Sequence, residues 1–204
     1  MYSTKAVLRD FQSDGVVYLE LRTTPRACSG FCKDEYVSVI IGCINEFDRA
    51  SMSTKLILSI DRRNTAAEAM EVVDLAIKHK PSAVVGIDLC GDPLKGDISI
   101  YRAAFVKAKH HGLKLTVHFA EVPASSTEEE LHTLLSYNPD RLGHVINVPD
   151  TVKLEIIRRK LGLELCLTCN VDAKMISGGF ADHHFSYWQD KGCPVILGVS
   201  CPDY

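Results

Sequence analysis

Short apolar runs alternate along this chain with longer segments in which apolar residues recur every three or four positions. The runs are VVYLEL from Val16, KLILSI from Lys55, AVVGIDL from Ala83, LKLTVHF from Leu113, RLGHVI from Arg141, LELCLTC from Leu163 and PVIL from Pro194. Each is rich in Val, Ile and Leu and too short for a helix, so each predicts a buried strand. Between them, Asp34 to Arg49 and Thr65 to Lys80 carry helical spacing, and Ile98 to His111 carries it more weakly. Ser126 and Glu129 predict a capping box for a helix running through Leu135. Val152 to Lys160 ends in Arg158, Arg159 and Lys160, with Gly162 following as a stop signal, and a shorter helix is predicted over His183 to Lys191.

Seven strands separated by helices predict repeated βα units and a parallel sheet. A doubly wound open sheet and a (β/α)8 barrel both fit that alternation. No GxGxxG follows the first strand, which removes the main support for a nucleotide-binding open sheet. The ends of the runs favour the barrel. Thr23 to Arg26, Asp61 to Arg63, Gly91 and Asp92, His118 to Glu121, His144, and Thr168 to Asn170 all fall at C-terminal edges, where a barrel builds its active site. Seven strands is one short of eight. With no Pro/Gly/Ser-rich linker, residues 1–204 are expected to form a single, partial (β/α)8 domain.

Composition narrows the partners. The chain has 204 residues, 46% hydrophobic and 24% charged, as an ordinary globular domain has. Its net charge of −3 gives no electrostatic reason to expect nucleic acid or an anionic membrane. The segment MYSTKAVLRDF has no apolar run suited to a signal peptide, and nothing approaches the ~20 apolar residues that span a bilayer. A cytoplasmic location is therefore expected. The eight cysteines read as small buried apolar residues. Cys166 and Cys169 form a CxxC, but within a strand-like run and without a second CxxC, so a zinc knuckle or redox pair is the lesser reading.

The sharpest local signal is HFAE, His118 to Glu121, at the end of a strongly apolar run. A neutral imidazole is a good metal ligand, and a nearby carboxylic acid can protonate a leaving group or a ring nitrogen. A strand-end histidine with a solvent-facing glutamate is an equal reading of this motif alone. His144, in RLGHV, ends the next run, and two histidines on adjacent parallel strands can converge on one small ligand. Alone it reads as a core histidine bonded to backbone. Gly91 suits either close backbone approach to a ligand or a tight strand-to-helix turn. Thr23, Thr24, Pro25 and Arg26 offer hydroxyls, a fixed turn and a guanidinium, parts that can grip a phosphate or form an ordinary loop. Asp61 can accept from a ribose or neutralise Arg62 or Arg63. His183 and His184 are read as capping or facing the barrel end. His79, His110, His111 and His132 lie on helix-like segments and receive no role. A Schiff-base barrel has no well-placed lysine, since Lys114 begins its strand and Lys174 lies in a loop.

Taken in order, VVYLELRTTPR, SIDRR, GIDLCGDP, HFAE, DRLGHV, LELCLTCNV, HHFSYW and PVIL resemble the adenosine and AMP deaminase family. The resemblance covers nearly the whole chain up to Leu197. TTPR, SIDRR and HHFSYW favour the branch that acts on N6-methyl-AMP. It implies a (β/α)8 barrel of the metal-dependent hydrolase type, one zinc ion, and hydrolytic removal of an amine from C6 of a purine nucleotide to give IMP. By resemblance, His118 is a zinc ligand, Glu121 protonates the purine ring, and His144 orients the attacking water. Gly91 meets the purine, and Asp61 with Thr23 to Arg26 holds the ribose-phosphate. The H-x-E and P-C-x-x-C pattern of the cytidine deaminases does not occur.

The sequence departs from the family pattern at both ends. It contains no H-x-H, the zinc pair of the family's first strand, and its run at Val16 matches the family's second strand. Where the family has an Asp-Asp pair after the last strand, PVIL leads into GVSCPDY, with Asp203 as the only late carboxylate. One matching ligand falls short of the three or four that zinc needs. The expectation is a barrel lacking its first strand and final helices, as in a truncated isoform, with impaired catalysis. The competing expectation is a non-catalytic nucleotide-binding fragment that associates with a full-length copy.

Overall fold

A computed structural model describes residues 2–28, 30–47 and 51–198. Seven strands form one sheet: β1 (Tyr18–Thr23), β2 (Ser53–Asp61), β3 (Val84–Cys90), β4 (Lys114–Phe119), β5 (Arg141–His144), β6 (Gly162–Leu165) and β7 (Val195–Leu197). Every pair is parallel, and the order in the sheet is the order in the chain. The helices are α1 (Tyr2–Ser13), α2 (Lys33–Glu46), α3 (Ala66–His79), α4 (Arg102–His110), α5 (Glu128–Ser136), α6 (Asp150–Arg159), α7 (Leu167–Asp172) and α8 (Phe185–Trp188). The expected βα alternation is what the chain builds.

Side-chain contacts show that the sheet is curled. Arg22 on β1 pairs with Glu164 on β6, and Arg141 on β5 pairs with Glu20 on β1. At ~4.8 Å per strand, β1 and β6 would lie about 24 Å apart in a flat sheet. Only a barrel-like wall lets one guanidinium cross between them. Its concave side holds the charged network, while Leu56, Leu58, Ile87, Leu115 and Val117 pack with helix residues such as Val73, Ala76 and Phe105.

Helix starts follow local chemistry. The Thr65 side chain accepts from the Glu68 amide at 3.2 Å, and the Glu68 carboxylate accepts from the Thr65 amide at 2.7 Å. This reciprocal cap occupies two amides that the first turn of α3 cannot bond internally. Thr65→Ala is expected to cost about 1 kcal/mol and to lower Tm by about 2–4 °C, as thermal melts would record.

Several boundaries differ from expectation. The α5 cap is Thr127, which accepts from the Glu130 amide, because Ser126 donates back to the Val122 carbonyl at 2.7 Å. α6 ends on Lys160 in the left-handed region, φ 50°, whereas Gly162 begins β6. The LELCLTC run is strand only to Leu165. The chain then turns into α7, with the Asn170 amide donating to the Cys166 carbonyl, so the CxxC belongs to a helix start. Segment 98–111 opens as a 3-10 turn, Ile98–Tyr101, before α4. The helix expected over 183–191 is the single turn α8. α1 had no counterpart in the apolar pattern; it buries only Leu8, and Lys5 pairs with Glu46 of α2 at 2.8 Å. Cys43 and Cys193 are buried, but Cys28 and Cys32 are exposed. Residues 48 and 49, the end of the helical segment expected over Asp34 to Arg49, and Asp203 lie outside the described residues.

Candidate active site

The C-terminal ends of β4 and β5 bring His118, Glu121 and His144 together. Phe119 is registered opposite His144, and His118 opposite Gly143. Past the register the two ends stay joined, because the Val145 amide donates to the Phe119 carbonyl and the Asn147 amide to that of Ala120. Ala120, His144 and Val145 all have positive φ, at 51°, 64° and 47°. Such conformations are costly for residues with a Cβ, and strain of this kind concentrates at functional sites. Here it turns the His144 ring toward His118, with ring centroids 5.2 Å apart, and leaves His144 Nε2 at 3.7 Å from Glu121 Oε1.

The three side chains sit in different electrostatic settings. Burial raises the Glu121 pKa, with the nearby His118 and Arg62 charges only partly opposing it. Burial lowers the His144 pKa to about 3, assisted by His118. A carboxyl that tends to hold its proton therefore faces an imidazole that tends not to gain one. Such a split separates proton donor from neutral hydrogen-bonding partner. For His118, burial acts downward, but Asp88 outweighs it and raises the pKa.

Asp88 is the main site residue that the sequence reading passed over, although it sits in the quoted GIDLCGD. It is 1% exposed and takes a hydrogen bond from Ser59 Oγ at 3.1 Å. His118 Nδ1 lies 3.2 Å from its Oδ1 and 3.0 Å from the Leu89 carbonyl, so Nδ1 carries a proton. A charged residue within an otherwise apolar strand was the available signal. Arg22 balances Asp88 and Glu164 from β1, and Arg141 adds a 2.9 Å contact to Glu164. These residues form the floor beneath the histidines.

The predicted substrate-side residues line neighbouring strand ends. Asp61 is held by Arg63, whose amide and Nε donate to Oδ1 at 2.8 Å and whose Nη2 reaches Oδ2 at 2.6 Å. That bond, with burial opposing it, keeps the Asp61 pKa below the usual carboxylate range. Arg62 points elsewhere and pairs with Glu130. Gly91 has φ 99°, and a Cβ there would lie 2.7 Å from Asp61 Oδ1, so this turn needs glycine to pass the carboxylate. Thr24 Oγ1 is 3.7 Å from Cys90 Sγ, and Thr23 Oγ1 is 2.7 Å from the Tyr36 hydroxyl. Pro25 is buried; Arg26 is exposed, 5.9 Å from the Tyr36 ring centroid. His183 and His184 pack behind His144: His184 Nε2 donates to the His144 carbonyl at 2.6 Å.

His118 has the chemistry of a metal ligand, since its Nδ1 proton is engaged and its Nε2 lone pair is left to bind. The donor set goes no further. Among the described residues no group of three or more His, Cys, Asp or Glu side chains could hold a metal ion. A zinc site is therefore not made up by these residues alone. Among the described residues no helix is long and apolar enough to cross a membrane.

The adenosine deaminase family profile matches residues 4–203. An N6-methyl-AMP deaminase of Danio rerio is 36% identical over 217 residues, covering 98% of this chain and 62% of that protein. A crystal structure of the Arabidopsis N6-mAMP deaminase superposes with a TM-score of 0.90 at 36% identity, covering 96% of this chain and 60% of that one. Arabidopsis ADAL complexed with IMP gives 0.89 at 36% identity, over 95% of this chain and 59% of that one. An amidohydrolase from Burkhoderia ambifaria with bound Zn gives 0.79 at 18% identity, over 96% and 57%, and is a likeness of fold alone. The chain thus spans about three fifths of the length of the relatives it matches. These neighbours have the TIM-barrel amidohydrolase fold, of which the seven-stranded curled sheet is a part. With the family profile spanning almost every residue and the strand-end motifs in place, the chain belongs to the adenosine deaminase family.

Proposed function

We propose that this chain carries the proton-handling part of a hydrolytic deaminase site acting at C6 of N6-methyl-AMP or a related N6-substituted AMP. The reaction consumes water and yields IMP and the amine. The observation that carries this reading is the pairing of Glu121, biased toward its acid form, with neutral His144, 3.7 Å away at two joined strand ends. Glu121 protonates the purine ring nitrogen, which makes C6 electrophilic as water adds. His144 orients that water and donates to the developing oxygen charge. Gly91 meets the purine edge, Asp61 the ribose, and Thr23, Thr24, Pro25 and Arg26 the phosphate. His118 would supply one ligand to a zinc ion, whose Lewis acidity would serve to activate the water; the further ligands such an ion needs are not among the described residues. The reading includes a cytoplasmic enzyme, with residues 1–204 as one partial (β/α)8 domain, acting on a small nucleotide and on neither nucleic acid nor membrane.

The incomplete ligand set among the described residues favours a second reading, a nucleotide-binding module with impaired or no turnover. Hydrolysis of N6-methyl-AMP by the purified chain with added zinc, followed as IMP formation, separates the two. The first expects turnover that Glu121→Gln lowers by ~10²–10⁴-fold, the usual contribution of general acid catalysis. IMP binding without turnover favours the second. A folded chain that neither turns over N6-methyl-AMP nor binds IMP rejects both.

A further inference from the structure

Behind His144 lies a buried chain of hydrogen bonds whose direction is set by a backbone amide. The Phe185 amide lies 3.0 Å from His183 Nδ1, and a backbone N–H can only donate, so Nδ1 is the acceptor. Neutral His183 must then carry its proton on Nε2, which is 3.2 Å from Asn170 Oδ1. The carbonyl end of Asn170 therefore faces His183 and its NH2 end faces His144 Nδ1, at 3.0 Å. The second amide hydrogen is accounted for by Met175 Sδ, a weak acceptor 3.4 Å from the same nitrogen. Asn170 is 0% exposed and His183 is 2% exposed, so no solvent competes. The Asn170 backbone is anchored as well: its carbonyl accepts from the Met175 and Ile176 amides, and its own amide donates to Cys166.

We infer that Asn170, backed by His183, is a positioning residue that fixes His144 as the neutral tautomer carrying its proton on Nε2. His144 Nδ1 is occupied as an acceptor, so the ring presents an N–H donor, rather than a lone pair, toward Glu121 and the space above His118. A second histidine ligand at this position would need the opposite tautomer. Asn170 thus separates the roles of the two rings: His118 offers a lone pair and His144 offers a proton. Only the use made of that proton rests on the deaminase reading. The tautomer can be measured without turnover, so the two can fail separately.

The test is 15N NMR of the histidine side chains in the folded chain at neutral pH. His144 is expected to show a pyrrole-like Nε2 and a pyridine-like Nδ1. Asn170→Asp keeps the shape but replaces the donor NH2 by an acceptor, so His144 Nδ1 is expected to become protonated. A wild-type His144 with its proton on Nδ1, or on both nitrogens, overturns the inference. So does a folded Asn170→Asp chain in which Nδ1 stays unprotonated, as a merely space-filling role for Asn170 would have it. If the variant does not fold, the wild-type spectrum decides alone.

Discussion

Arg22→Met is expected to lower the unfolding free energy by about 3–5 kcal/mol, the cost of removing one partner from a buried ion pair. For a domain of this size, that corresponds to roughly 6–20 °C in Tm. Arg22 faces two carboxylates, Asp88 and Glu164, whose side chains are 1% and 9% exposed. Burial disfavours its charge, but those two carboxylates more than offset the penalty and raise its pKa. Met fills comparable volume, so the loss reports charge rather than a cavity. Ser59 and His118 still contact Asp88, and Arg141 and Thr116 still contact Glu164, which places the expected value toward the low end. Arg158→Met is the control. Its partner Glu155 lies three residues away on the solvent side of α6, and solvent screening leaves a surface pair of this kind with little effect on stability. Equal effects of the two substitutions in urea melts would mean that the Arg22 network contributes no more than a surface pair.

Acidification from pH 6.5 to pH 4.5 is expected to remove about 3 kcal/mol of stability, a net slope of about 1.4 kcal/mol per pH unit for one proton. Burial lowers the His144 pKa to about 3 and the His183 pKa to about 4, and it lowers that of His184 too. Between those values and the ordinary histidine pKa near 6.5, the unfolded chain binds more protons than the folded one, so stability falls as pH falls. Glu121 acts in the opposite sense. Its raised pKa makes the folded chain the better proton binder above 4.5, which cancels part of the histidine contribution. The raised His118 pKa acts above pH 6.5 and does not enter this window. Asp88, whose pKa His118 and Arg22 hold below 3.8 despite its burial, extends the loss at still lower pH. Urea midpoints at pH 6.5, 5.5 and 4.5 should fall in that order; a flat series would show that these imidazoles are not held neutral.

The strand-helix alternation was legible because buried parallel strands leave uninterrupted apolar runs, and amphipathic helices leave a three-to-four spacing. The strand-end groups were legible for a related reason. A polar residue near the end of an apolar run marks where the chain leaves the core, as His118, Glu121, His144 and Asp61 do, and Gly91 marks the turn that follows β3. Elements decided by few residues were less visible. α1 buries one side chain, and the apolar run after Leu163 contains both a four-residue strand and the start of α7.

By itself, then, the sequence determined the succession of seven strands with the main helices between them, the parallel sheet, the family and the group of residues at the β4 and β5 ends, since these follow from the pattern of neighbours close in the chain. The tertiary structure alone decided what those residues are like chemically. Arg22 meets Glu164 across 142 positions, His118 takes its orientation from Asp88 30 positions earlier, and His144 receives its hydrogen bond from Asn170 26 positions later. No local pattern encodes these partners. They arise when the sheet curls and carries its inward-facing side chains to one another, and in that buried setting each contact sets a charge or a proton that water would otherwise set.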